Sequence, residues 1–170
     1  ATRILDFALG MSVVALGYLL YEQVERLRRN LWPVTLATLA GCATGVLSVV
    51  HIAKLFGTER AILHSIAPKS VTVPIAVSIS EPLGGNVAVT SVVVFCVGIF
   101  GSIFGEWILR RGGVTDPEAR GFALGAAAHG IGTARAIEIG VVEGAFSGLA
   151  MALMGLATAL AVPLMEKYLY

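Results

Sequence analysis

The chain has 170 residues, of which 56% are hydrophobic and only 14% charged, and its mean hydropathy is +0.84. Soluble domains carry about 25% charged residues, so the composition excludes an ordinary soluble fold and indicates a polytopic membrane protein. A net charge of +1, with no lysine or arginine tract longer than two residues, leaves no electrostatic footprint for nucleic acid.

The chain opens with "ATRILDFALG", which has no basic leader followed by a small-residue cleavage site, so this stretch is not expected to be a signal peptide. It also lacks an initiating methionine, so it is expected to begin inside a longer protein. A spanning helix needs about 20 mostly apolar residues. The first candidate, about 4–20, is short and carries Asp6 near its start. The second, about 33–54, follows a proline that suits a first helical turn. The third covers about 86–110 and the fourth about 143–165. Cys42 and Cys96 lie within these apolar runs and are read as small hydrophobes; a disulfide or metal pair would need partners the sequence does not offer.

Two further apolar stretches, 59–81 and 117–140, are interrupted in the middle by "IAPKSVTVPIA" and "AAAHGIGTARA". Ten helical residues cover only about 15 Å, half of a hydrocarbon core of about 30 Å. Each segment is therefore a broken helix that crosses or a hairpin that returns by the face it entered. Unwound backbone at membrane depth is tolerated only in protein or beside a watery cavity. Self-comparison pairs Gly41-x-x-x-Gly45 with Gly101-x-x-x-Gly105, and Thr72 with Thr133, at nearly the same offset. A long helix followed by an interrupted segment thus occurs twice, in units of about 33–81 and 86–140. Small-residue spacing also serves plain helix packing.

Charge favours hairpins. They put Arg26, Arg28, Arg29, Arg110, Arg111 and Arg120 on one face, opposite Arg3, Lys54, Arg60 and Lys167. Dense basic loops belong on the cytoplasmic side. The expected fold is an all-α polytopic membrane protein: an inverted-repeat, transporter-like bundle with two re-entrant hairpins and four full spans. Discontinuous helices at a repeat interface are the common plan of secondary transporters.

In the first interruption Pro68 ends one arm and Pro74 fits the first turn of the next, leaving Ser70 and Thr72 beside freed N–H groups. A helix N-terminus attracts anions, and Lys69 adds a full charge. The alternative is that Lys69 reaches the interface or a carboxylate while the hydroxyls only cap helices. A lysine deep in an apolar segment is costly and favours function. In the second interruption Gly130 and Gly132 permit positive φ and close approach of a ligand, and Thr133 is placed to cap the next arm. His129 titrates near neutrality and suits proton coupling; the plainer reading is a hydrogen-bonded packing histidine. Arg135 suits a carboxylate, though Glu138 is placed to neutralise it along the helix. Asp116-Pro117-Glu118 reads as a plain helix start. Metal-ligand spacings, a nucleophile-elbow serine and a phosphate-binding loop are all missing, so neither an enzyme nor a cofactor is expected.

The strings "LYEQVERLRRN", "IAPKSVTVPIAVSIS", "DPEARGFALGAAAHGIGTARAIEIGVVEGAFSGLAMALMG" and "ATALAVPL" closely resemble the LrgB/CidB family of bacterial membrane proteins, over essentially all 170 residues. The resemblance implies one transmembrane domain over residues 1–170, in a multi-pass protein of the bacterial inner membrane, encoded beside an LrgA/CidA-type partner and prone to homo-oligomerise. Members were named as antiholin-like regulators of murein hydrolase export and autolysis. Others look like carriers of small carboxylates such as pyruvate, and a chloroplast member is a glycolate/glycerate translocator. Family members usually carry two more hydrophobic segments before this region, and the stretch 4–20 lacks the prolines expected near Met11 and Leu19. The plastid branch does not keep the arginine that corresponds to Arg135, which ranks it below Lys69, Thr72, His129 and Thr133. The expected function is secondary transport of small monocarboxylates, with the anion between tips 68–74 and 129–135 on Lys69, Ser70, Thr72, His129, Gly130, Gly132, Thr133 and Arg135; the alternative is a holin/antiholin-like pore regulator. A third reading is a subunit that only scaffolds its partner.

Overall fold

The structure, a computed structural model, describes residue 18, residues 21–22 and residues 24–169, apart from the side chains of 27 and 167–169. The described residues form helices and no strand: α1 (Val24–Arg29), α2 (Leu31–Leu55), α3 (Arg60–Ile66), α4 (Val73–Ser80), α5 (Val87–Arg111), α6 (Pro117–Ile139) and α7 (Val141–Leu169). Three are long and apolar enough to span a membrane, Leu31–Leu55, Val87–Arg111 and Val141–Glu166, each within a few residues of its predicted range. The predicted span at 4–20 lies outside the described residues, Tyr18 excepted.

Local chemistry starts the helices where the sequence predicts. Asn86 caps α5 by accepting from Ala88 N and Val89 N, and Asp116 caps α6 by accepting from Ala119 N at 2.8 Å. Pro117 and Pro74 each occupy the first turn of their helix, where a missing N–H costs nothing.

Both interrupted segments fold back on themselves. In the first, consecutive N–H groups donate to the two arms: Gly85 N to Ser80 O at 2.8 Å and Asn86 N to Ser65 Oγ at 2.7 Å. Ser65 and Ser80 therefore adjoin, although a continuous helix would set them about 22 Å apart. In the second, α6 breaks at Ala128 (φ −129°, ψ 17°) and His129 (φ 43°, ψ −134°). A Cβ on Gly132 would lie 2.5 Å from Leu124 O, whereas an unbroken helix would separate these residues by about 12 Å. The returning arm then runs antiparallel to α7, with Ser147 Oγ donating to Thr133 Oγ1 at 2.9 Å and Gly144 packed on Ile137.

The fold-backs are inserted from opposite ends of α5. The arms α3 and α4 are clasped at its N-terminal end by Gly85 and Asn86. The α6 arms lie along its C-terminal half, where Gly101 faces Ala128 and Gly105 faces Leu124. The α1–α2 junction shares this second end, since Asn30 Nδ2 donates to Glu118 Oε2 at 2.6 Å. Both tips stop at the middle of long helices: Ser70 beside Gly45 of α2, and His129 beside Gly98 of α5. Val71 and Ala76 share a buried cluster with Val94, and His129 Nε2 bonds Val94 O at 3.0 Å, so both tips converge on one residue of α5.

Glycine makes this packing possible where backbones nearly touch. A Cβ on Gly121 or Gly125 would overlap the backbone of Glu143 or Ser147 on α7. Backbone cannot rotate aside as a side chain can, so Gly125→Ala is expected to cost about 1–3 kcal/mol. Gly41→Ala adds a methyl at ordinary contact, 3.6 Å from Met154 Sδ, and is expected to stay within about 0.5 kcal/mol. Thermal unfolding of the purified variants checks the order; a Gly41 variant weaker than Gly125→Ala would refute it.

Candidate functional site

A groove of about 660 Å³ runs between α2 and the first arm of α6. Its end at the starts of α2 and α6, called the mouth below, is lined by Asn30, Asp116 and Glu118; its far end, the floor, is lined by Lys69 and Ser70 and by Thr44 and Ser48, which are exposed. The floor is therefore the first tip, at the middle of α2. Because Thr44 and Ser48 are four residues apart, they present hydroxyls on one face of the helix, flanking Gly45. Between mouth and floor the walls are apolar, with Val34, Ala37 and Gly41 facing Phe122, Ala123 and Ala126.

Among the described residues, Lys69 is the only cationic one lining the groove. Its Nζ donates to Ser70 Oγ at 3.1 Å, and no ion pair involves it among the described residues. An ammonium at this depth without a carboxylate is a strong local source of positive potential. By contrast, the mouth carboxylate of Glu118 is answered by Asn30 and by Arg26 Nη1 at 3.6 Å.

The other residues singled out from sequence are divided between two places. Thr72 is half-buried at the start of α4; its side chain makes no capping bond, and its carbonyl accepts from Ala76 N. His129 and Thr133 are buried at the second tip, where Thr133 Oγ1 donates to His129 O at 2.8 Å. That bond lies within the arm, so Thr133 does not cap it. Neither Gly130 nor Gly132 has positive φ; His129 does, at 43°. Gly132 is needed for its fit against Leu124 O and Ala128, and Gly130 sits near Met151. Gly98 of α5 faces the imidazole: a Cβ there would lie 2.7 Å from His129 Cε1. Arg135 lies apart, on the far side of α6, paired with Glu106 at 2.8 Å and Glu138 at 2.7 Å.

Of the eight predicted site residues, the structure brings only Lys69 and Ser70 into the groove. Thr44 and Ser48 also line it, and their signal in the sequence is a Thr-x-x-x-Ser pair within an apolar span. From sequence, Asp116 and Glu118 read only as a helix start.

Residues 1–168 match the family model described as the LrgB-like family. The chain belongs to the LrgB-like family. It is 36% identical over 163 residues to an uncharacterized protein of Haemophilus influenzae, across 95% of this chain and 70% of that protein. It is 32% identical over 167 residues to the antiholin-like protein LrgB of Bacillus cereus strain B4264, across 98% of this chain and 73% of that protein. The antiholin-like protein LrgB of Bacillus anthracis strain CDC 684 shows the same identity and coverage. No solved structure matches the chain.

In this LrgB-like chain the backbone at His129 has the dihedrals of the first central position of a type II′ turn, which glycine dominates. A non-glycine residue there is strained by about 1–2 kcal/mol. The imidazole recovers part of that through its bond to Val94 O. His129→Ala keeps the strain and loses the bond, whereas His129→Gly loses the bond and relieves the strain. The glycine variant is expected to be the more stable of the two by about 1 kcal/mol, as thermal unfolding will show. Equal stabilities would mean that the turn is unstrained.

Proposed function

We propose that the protein is a secondary carrier of small monocarboxylates in the bacterial cytoplasmic membrane, with the anion held on Lys69 at the floor of the groove. The observation that carries this reading is a lysine on the first tip, beside the middle of α2 and without an ion pair among the described residues, that lines a groove running toward one end of the molecule. A pore built by oligomerisation needs no such charge. In this reading the two fold-backs are re-entrant hairpins and the units 33–81 and 86–140 are inverted repeats. Their insertion from opposite ends of α5 and their convergence on Val94 support that arrangement. The mouth shares its end with Arg26, Arg28, Arg29, Arg110 and Arg111, so the positive-inside tendency turns it toward the cytoplasm. Of the residues singled out at the second tip, His129, Gly130, Gly132 and Thr133 shape that tip, and Arg135 braces its outer arm.

The second reading is antiholin-like control of murein hydrolase export, and the names of the Bacillus relatives favour it. An LrgA-type partner and self-association belong to both readings.

Uptake of labelled pyruvate, lactate, glycolate and glycerate into vesicles, with and without an LrgA-type partner, tests the first reading. Lys69→Met keeps the bulk of the side chain and is expected to abolish substrate-dependent uptake and substrate-induced thermal stabilisation. An unchanged shift on adding substrate would remove Lys69 from the site. No uptake by the wild type, with altered hydrolase release in cells, would leave the antiholin-like reading. For topology, Cys42 and Cys96 are replaced and single cysteines are placed at Glu81, Thr115 and Arg28. Positions 115 and 28 are expected to label from one side and 81 from the other; labelling of 81 and 28 from the same side refutes the hairpins.

A further inference from the structure

We propose that the groove selects monocarboxylates whose chain beyond the second carbon is hydrocarbon, over acids carrying a hydroxyl or a second carboxylate there. The proposal rests on the reading of Lys69 as the anion site. At about 660 Å³ the groove holds roughly twenty times the ~30 Å³ that one water occupies in the liquid, far more than a two-carbon acid fills. Its chemistry changes along its length. Around the floor lie one ammonium and three hydroxyls, from Lys69, Ser70, Thr44 and Ser48. These match a carboxylate and one polar substituent on the adjacent carbon. Beyond them, toward the mouth, the side chains of Ala37, Val34, Ala126, Ala123 and Phe122 offer no donor or acceptor.

A hydroxyl on the third carbon would lose its water there without a partner, and such burial is unfavourable. A second carboxylate fares worse, since its charge would lie in the apolar section or be pushed toward Asp116 and Glu118 at the mouth. A methylene in the same place gains the free energy of leaving water, which amounts to about a fourfold increase in affinity for each CH₂ buried.

A series of 2-hydroxy acids isolates the effect because the head group stays constant. Binding of lactate, 2-hydroxybutyrate, 2-hydroxyhexanoate, glycerate and malate is measured on the full chain in nanodiscs, with Lys69→Met reporting partition into lipid. Affinity is expected to rise about fourfold per methylene from lactate upward, with glycerate several-fold weaker than lactate and malate weaker again. If lactate binds in a Lys69-dependent way but the series is flat, or glycerate or malate equals lactate, the tail selectivity is wrong and the anion site stands. If no acid binds the wild type, or Lys69→Met binds them equally, both proposals fall.

Discussion

In a hydrocarbon interior every backbone N–H and C=O must find a partner within the protein, and that requirement governs this molecule, because its chain is interrupted twice at mid-length. At the first tip the turn closes on itself, with Lys69 N donating to Ile66 O and Val71 N to Pro68 O. The arms behind it are held by Ser65, Ser80 and the start of α5. At the second tip the strained turn at Ala128 and His129 is enclosed by α5 and α7. Each interruption thus packs against intact helices, and those helices are glycine-bearing where the tips touch them.

That requirement also organises the charge. Arg120 and Glu143 form a largely buried ion pair where the first α6 arm passes the start of α7. Arg110 and Arg135 both pair with Glu106, tying the returning arm to the end of α5. These pairs lie near one end of the bundle, whereas Lys69 lines the groove at its middle without an ion pair among the described residues. That asymmetry is what gives the groove a direction.

The sequence was most informative where residues impose a conformation. Pro68 and Pro74 mark the first interruption directly, and the caps at Asn86 and Asp116 fix the starts of α5 and α6. Three spans were legible from length and apolarity alone. The second interruption was located only approximately, because glycine permits a turn without demanding one: the bend falls on Ala128 and His129, and Gly130 and Gly132 stay helical. Contact with Gly98 and Gly101 selects that position, and such contact has no local signature. Arg135 illustrates the same limit, since Glu138 was visible as a neighbour while Glu106, on another helix, was not. The groove was hidden for a related reason: its walls come from α2 and α6, and only their packing turns Thr44, Ser48 and Lys69 toward a common space.

Val94 serves the two tips by different chemistry. It meets the first through its side chain and the second through its carbonyl oxygen. A carbonyl is common to all amino acids, so substitution at 94 can loosen the first tip while the acceptor offered to His129 persists. The handles on the second contact are the imidazole itself and the missing side chain of Gly98 that lets it approach. Evolution and mutagenesis therefore have separate controls over the two tips, although both bear on one point of one helix.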